Sequence, residues 1–358
     1  MSGGAEVLDD AAARARLDPG GMLAAVAGLP QQCRDAWAAA ADLELPPDYT
    51  QIDRIVVLGM GGSAIAGDFL RVLLARESAV PVFNVRQYDL PPYVNERTLV
   101  IASSFSGGTE ETLSAFDQAL ATGAKKIAIA TGGPLLATAR ANGVPAFTYR
   151  FQGEPRAALG WSLMPLLAIA RTLGLMEGVE RDVEEAAAVM EALVEQIGED
   201  VPSSRNEAKE TARRLYGKLP VIYGAGPLTE VAHRWKTQLN ESAKVWAFYE
   251  ELPEVHHNAI IGYELPPAIA QQTAVVFLRS VDLIHPRVQL RYEFTQAMLA
   301  KAGVDVLSVA THGRGALAQM LSSVMLGDYV SCYLALLAGA DPTPTTVIDN
   351  LKAWLAQQ

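Results

Sequence analysis

Cysteine is nearly missing from this chain: Cys33 and Cys332 are the two thiols in 358 residues. They form no metal-ligand or redox spacing, and two in a chain of this length make no disulfide scaffold. Positive charge is also short. Lys and Arg total 29 against 40 Asp and Glu, a formal charge of -11. That balance argues against a long basic face and so against a nucleic-acid partner. A small anion stays open as a ligand, because local amides and a few cations hold it against a negative background. The opening MSGGAEVLDDAAARARL has acidic residues and no apolar core, so it does not read as a signal peptide. The longest apolar stretches, around Leu159 to Ala170 and Cys332 to Ala340, read as too short to span a bilayer. The expectation is a soluble cytoplasmic protein with no membrane partner.

What is present is a globular composition, 50% apolar and 19% charged. The length exceeds what one hydrophobic core usually fills, so two domains are expected, 1–200 and 201–358. Residues 8–43 read as a helical lead-in broken at Asp18-Pro19-Gly20-Gly21. Strands then alternate with helices: RIVVLG (54–59), VPVFNVR (80–86), TLVIASS (98–104), KKIAIAT (125–131) and VPAFTY (144–149). This alternation predicts an α/β fold, a parallel sheet covered by helices on both faces. Two helices follow, to Ile197. The pattern restarts at LPVIYGAG (219–226), continues through TAVVFLR (273–279) and VDVLSVA (304–310), and ends in a C-terminal helix from Val347. The chain reads as two copies of one α/β unit that share element order and not residue identity.

Two turns carry hydroxyls at the ends of strands. Gly59-Met60-Gly61-Gly62-Ser63 lets the chain turn tightly and aims free helix-start amides, with the Ser63 hydroxyl, at an anion. Read alone it is also an ordinary tight turn, or a dinucleotide fingerprint. The glycine spacing is irregular for a dinucleotide, and no acid ends VPVFNVR to bind a ribose. The second turn, Ser103-Ser104-Phe105-Ser106-Gly107-Gly108-Thr109, offers Ser104, Ser106 and Thr109, though Ser106 or Thr109 caps a helix equally well without a ligand. Two such turns in one sheet suit a phosphate shared between them. Elsewhere Glu241 in QLNESAK, the adjacent His256 and His257, Arg156 in GEPRAALG and Lys352 on the last helix are candidates for proton transfer or charge stabilisation. A solvated helix surface explains Glu241 and Lys352 as simply.

Taken together, GMGGSAIAGD with Ser104 to Thr109 resembles the sugar isomerase (SIS) domain. The later NESAK, HHNAIIGYE and IDNLKAWL resemble the bifunctional phosphoglucose/phosphomannose isomerases. The resemblance runs from about residue 20 to the end. It implies two SIS domains, a homodimer with shared active sites, a sugar phosphate as the small-molecule partner, and no metal or organic cofactor. By position it implies that Gly61, Gly62, Ser63, Ser104, Ser106 and Thr109 hold the phosphate. Arg156 steadies an enediolate, Glu241 is the base, His257 with Lys352 opens the ring, and Thr345 or Thr346 bears on mannose 6-phosphate. The implied reaction interconverts glucose 6-phosphate and mannose 6-phosphate with fructose 6-phosphate. Two departures stand out. Gly108 replaces the family's Asn, and its N-H-N-E reads His256-His257-Asn258-Ala259. A non-catalytic SIS protein that binds a sugar phosphate, or an isomerase of another phosphosugar, would keep the same phosphate turns.

Overall fold

The computed structural model describes residues 7–41, 43–264 and 266–358. Asp42, within the expected lead-in, lies outside the described residues. The lead-in forms α1 (Ala11–Leu17), α2 (Met22–Ala27) and α3 (Leu29–Ala40). The break falls at Asp18-Pro19-Gly20-Gly21 as the sequence predicts, because Asp18 leaves the helix and accepts the Met22 and Leu23 amides, at 2.8 and 2.9 Å. Contacts group the chain into two compact units: Gly28–Met190 with Gly313–Gln319, and Met1–Ala27 with Glu191–His312 and Met320–Gln358.

The first unit holds a five-stranded parallel sheet in the order β2-β1-β3-β4-β5. Its strands are β1 (Arg54–Leu58), β2 (Val82–Val85), β3 (Thr98–Ser103), β4 (Lys125–Ala130) and β5 (Ala146–Thr148). The crossovers are α4 (Gly61–Leu74), α5 (Glu110–Leu120) and α6 (Gly133–Ala141). Every residue of β3 is buried, as a strand with helices on both faces requires. On one face Val56, Leu58, Val100 and Ala128 pack with Phe116 of α5 and Leu135 of α6. α7 (Leu159–Thr172) packs on α3 and α4. α8 (Val179–Ile197) closes this stretch of chain.

The second unit repeats the plan with four parallel strands in the order β7-β6-β8-β9. After α9 (Glu207–Leu215) come β6 (Leu219–Ala225), α10 (Leu228–Glu241) and β7 (Phe248–Leu252). Then come α11 (Pro267–Gln272), β8 (Thr273–Arg279), α12 (Pro286–Lys301), β9 (Asp305–Ala310), α13 (Ala316–Leu337) and α14 (Thr346–Leu355). Both sheets start at an inner strand, step one way, then return past the start. The repeat read from the sequence is therefore a repeat of topology.

One expectation is corrected. α13 runs 22 residues and is long and apolar enough to cross a bilayer, although the uninterrupted apolar stretches in it looked too short. Gln319, Ser322, Ser323 and Asp328 break the run without breaking the helix. The helix is nevertheless core, with 94% of its most apolar window buried inside the protein.

α13 fixes α10, the helix that ends in Glu241. The Trp235 indole N–H donates to the Ser323 carbonyl at 2.7 Å, and Gly327 admits the ring so closely that a Cβ would stand 2.4 Å from it. Arg234 and Asp328 form an ion pair at 2.9 Å with both side chains buried. Removing one member of such a pair strands the other charge. Asp328→Ala is therefore expected to cost about 3–5 kcal/mol, measured as a drop in the urea midpoint. The joint change Arg234→Met with Asp328→Leu should recover most of that loss.

Candidate active site

β1 and β3 are neighbours in register, Leu58 opposite Ala102, so the turns that follow them lie side by side. Gly59 sits so close to the Ser103 carbonyl that a Cβ there would stand 3.0 Å from it. Gly61 takes φ +51°, a conformation that favours glycine, and opens α4 with no side-chain cap. No side chain thus caps the first amides of α4; the Ser63 N–H donates to the Met60 carbonyl at 3.1 Å, and the Ser63 side chain lies buried there.

The second turn is built by its own hydroxyls. Ser104 and Thr109 hydrogen-bond through their oxygens at 2.9 Å, and the Gly107 N–H donates to Ser104 Oγ at 3.1 Å. The Gly108 N–H donates to Ser106 Oγ at 3.2 Å. Gly107, at φ +68°, lies so close to Gly132 that any side chain would collide with its carbonyl. Gly108 has no such constraint: a Cβ there would meet only Ser106 Oγ, at 3.7 Å. The departure at this position therefore leaves the turn intact. Ser104 is buried while Ser106 is exposed, so the turn offers its hydroxyls at different depths.

Arg156 joins the first turn. Its 3-10 turn, Pro155–Ala157, packs against Gly62, where an added Cβ would stand 3.4 Å from the Pro155 carbonyl and 3.8 Å from Arg156 Cα. The arginine is 3% exposed and pairs with Glu154 at 3.2 Å. Gln32 of α3 holds this loop by donating to the Ala157 carbonyl at 2.9 Å and accepting the Gly160 N–H at 2.6 Å. Sequence reasoning missed Gln32, since nothing local links it to Arg156. Glu154 carried a signal, an acid two residues before a candidate cation.

The second unit holds the remaining candidates. Glu241 is the last residue of α10 and half-buried. Lys244, at φ +60°, follows the helix end; its ammonium donates to the Glu241 carbonyl and to the carbonyls of Pro342 and Pro344, at 2.5, 3.2 and 2.6 Å. One lysine thus ties the end of α10 to the residues that lead into Thr345, Thr346 and α14. Lys352 lies on α14 and is exposed. Lys244 stood inside the NESAK motif, but its partners Pro342 and Pro344 are 98 and 100 residues away and left no trace there.

The two adjacent histidines separate cleanly. Arg291 Nη1 donates to His256 Nδ1 at 2.9 Å, so the ring proton sits on Nε2 and is donated to Thr295 Oγ1 at 2.6 Å. Burial, then the Arg291 charge, pushes the His256 pKa below 6.5. His256 is a neutral structural ring. His257 is exposed on the same 3-10 turn.

Two outcomes are expected. Replacing Lys244 with Met should speed amide exchange in residues 346–355 and leave the β6 amides protected. In an NMR titration the His256 ring should titrate below 6.5. Its contribution to stability is then complete above that pH and declines as pH falls from 6.5 through the lower folded value.

Comparison with known proteins agrees with the two-sheet plan. The SIS domain family matches residues 48–141, and the family described as the bacterial phospho-glucose isomerase C-terminal SIS domain matches residues 204–355. A bifunctional phosphoglucose/phosphomannose isomerase of Caldicellulosiruptor bescii is 42% identical over 94% of this chain and 99% of its own length. The protein of that name from Aquifex aeolicus is 36% identical over 87% of this chain and 93% of its own. Among solved structures, a hypothetical protein of Thermus thermophilus superposes with a TM-score of 0.73 over 94% of this chain and 90% of its own, at 17% identity, a likeness of fold alone.

Proposed function

Since the chain belongs to the bifunctional phosphoglucose/phosphomannose isomerase family, we propose that it interconverts glucose 6-phosphate and mannose 6-phosphate with fructose 6-phosphate. The observation that carries this reading is the pair of adjoining turns, Gly59–Ser63 and Ser104–Thr109, with buried Arg156 packed beside Gly62. Backbone amides and hydroxyls on neighbouring parallel strands suit a phosphate group, and little must move to receive one. In this proposal Gly61, Gly62, Ser63, Ser104, Ser106 and Thr109 grip the phosphate, the end of the sugar that does not react. Binding energy spent there orients C1 and C2.

His257, aided by Lys352, moves a proton between the ring oxygen and O1 to open the sugar. The exposure of His257, beside a sister ring already committed to Arg291 and Thr295, supports this choice of histidine. Glu241 takes the proton from C2, leaving a cis-enediolate. The hydroxyl proton passes from O2 to O1, and Glu241 returns its proton to C1 when the aldose becomes ketose. Arg156 offsets the charge that develops on the enediolate oxygens. Mannose 6-phosphate presents its C2 proton with the opposite configuration. Rotation about C2–C3 in the open chain brings that proton to the same base, with room set by Thr345 and Thr346. In functional terms residues 1–200 carry the phosphate turns and 201–358 the base. The working form is a homodimer with shared active sites, and the chemistry calls for no metal or organic cofactor.

The test is a coupled assay on the native chain and on Glu241→Gln. The native protein should turn over both aldose phosphates. The variant should lose about 10²–10⁴-fold in kcat, the range of a general base, and still bind fructose 6-phosphate. Binding of fructose 6-phosphate by the native chain with no turnover would overturn the catalytic reading.

A further inference from the structure

The second sheet ends in a cavity that the proposed chemistry does not use. By strand order β8 occupies in its sheet the place of β3, and β9 that of β4. A serine follows each third strand at once: Ser104 after β3, Ser280 after β8. Each serine oxygen accepts the amide three residues on, from Gly107 at 3.1 Å and from Leu283 at 2.9 Å. A threonine follows each fourth strand, Thr131 after β4 and Thr311 after β9. The Thr131 N–H donates to the Phe105 carbonyl, one residue past Ser104, and the Thr311 N–H to the Arg279 carbonyl, one residue before Ser280, each at 3.0 Å. The serine that opens the turn of the first sheet, and the threonine after the next strand, therefore recur in the second, although the two halves share little sequence.

The second turn adds a cation. Arg279 is the last residue of β8 and has no carboxylate partner among the described residues. Its guanidinium carbon lies 5.9 Å from the ring centre of Tyr292 on α12. Tyr292 is 1% exposed, and its hydroxyl is buried without a hydrogen-bond partner. Buried hydroxyls are normally paired, so this one lacks an acceptor. Arg279, Ser280 and Tyr292 line a cavity of about 370 Å³, together with Thr311, Val281 and Ile284.

We propose that this cavity is a second anion site that takes a phosphate group or a small phosphomonoester. Arg279 supplies the charge, and the bound oxygen is the acceptor that the Tyr292 hydroxyl lacks. Donors carried by a strand end and by a separate helix approach the cavity from different elements, which suits a tetrahedral oxyanion better than a flat carboxylate. Val281 and Ile284 give a small organic body an apolar wall to rest on. The site belongs wholly to the second unit and does not rest on the isomerase reading.

The test counts inorganic phosphate bound per full-length chain by equilibrium dialysis with labelled phosphate. Arg279→Gln should lose one phosphate per chain and keep its isomerase turnover. In the Ser104→Ala, Thr109→Ala background the Arg279-dependent phosphate should remain, which separates this site from the first. Tyr292→Phe removes a single oxygen and guards against a misfolded arginine variant; it should weaken that phosphate about tenfold and leave the count unchanged. Displacement by fructose 6-phosphate extends the site to a phosphomonoester, whereas displacement by acetate at equal concentration would overturn the preference for phosphate. An equal count in the native protein and Arg279→Gln, or equal affinity in Tyr292→Phe, would overturn the proposal.

Discussion

A parallel strand cannot return to its neighbour through a tight turn; the chain must cross back over the sheet, usually as a helix. Every strand then leaves its sheet at the same edge, and every strand-to-helix loop collects there. Both sheets of this protein obey that constraint without an antiparallel pair among the described strands. The glycine turn after β1, the serine turn after β3 and the arginine turn after β8 are all products of it. Within each sheet, residues far apart in sequence come to one edge because the sheet delivers their loops there. The glycines at 59, 61 and 107 then let the backbone close up where a side chain would collide or strain.

The candidate residues fall into two physical kinds. Ser104, Thr109 and Arg156 are held by hydrogen bonds, ion pairing and burial before any ligand arrives. Such groups recognise a fixed shape with little ordering cost. His257 and Lys352 are exposed, the first on a short 3-10 turn and the second on the terminal helix. Glu241 stands between these kinds, half-buried at the end of a helix anchored by Trp235 and the Arg234–Asp328 pair. In the proposed reaction the held residues serve the end of the sugar that does not react, and the exposed ones the steps that open a ring and move protons.

Much of this was legible in the sequence because it depends on local chemistry. Strands such as TAVVFLR, glycine turns and the hydroxyl pattern around Ser104 are set by neighbours in sequence. Family resemblance then singled out Arg156, Glu241 and His257 as candidates, which residue type alone could not. What escaped was non-local. Gln32 reaches the Arg156 loop from α3, and Lys244 binds carbonyls near Pro344. Both are ordinary polar residues whose role exists only after folding. The tethering of His256 by Arg291 and Thr295 is of the same kind, since nothing in His256-His257 says which ring is committed. The interruptions in α13 misled for another reason: scattered polar residues shorten an apolar run on paper while the helix remains one buried rod.

The N-terminal lead-in shows a further consequence of long-range bonding. The Leu8 carbonyl accepts from Lys209 Nζ at 2.8 Å, and that same ammonium reaches the carbonyls of Glu199 and Val201. Arg14 pairs with Glu199 and Asp200, and Asp9 accepts from Ser203. On the ribosome, residues 8–27 emerge ahead of the first sheet, yet their partners arrive only after that whole sheet has been made. The stretch Gly28–Met190 has its own sheet and core, and residues 8–14 cannot make these bonds until Glu199 to Lys209 have followed it. At this end of the chain, early synthesis does not mean early bonding.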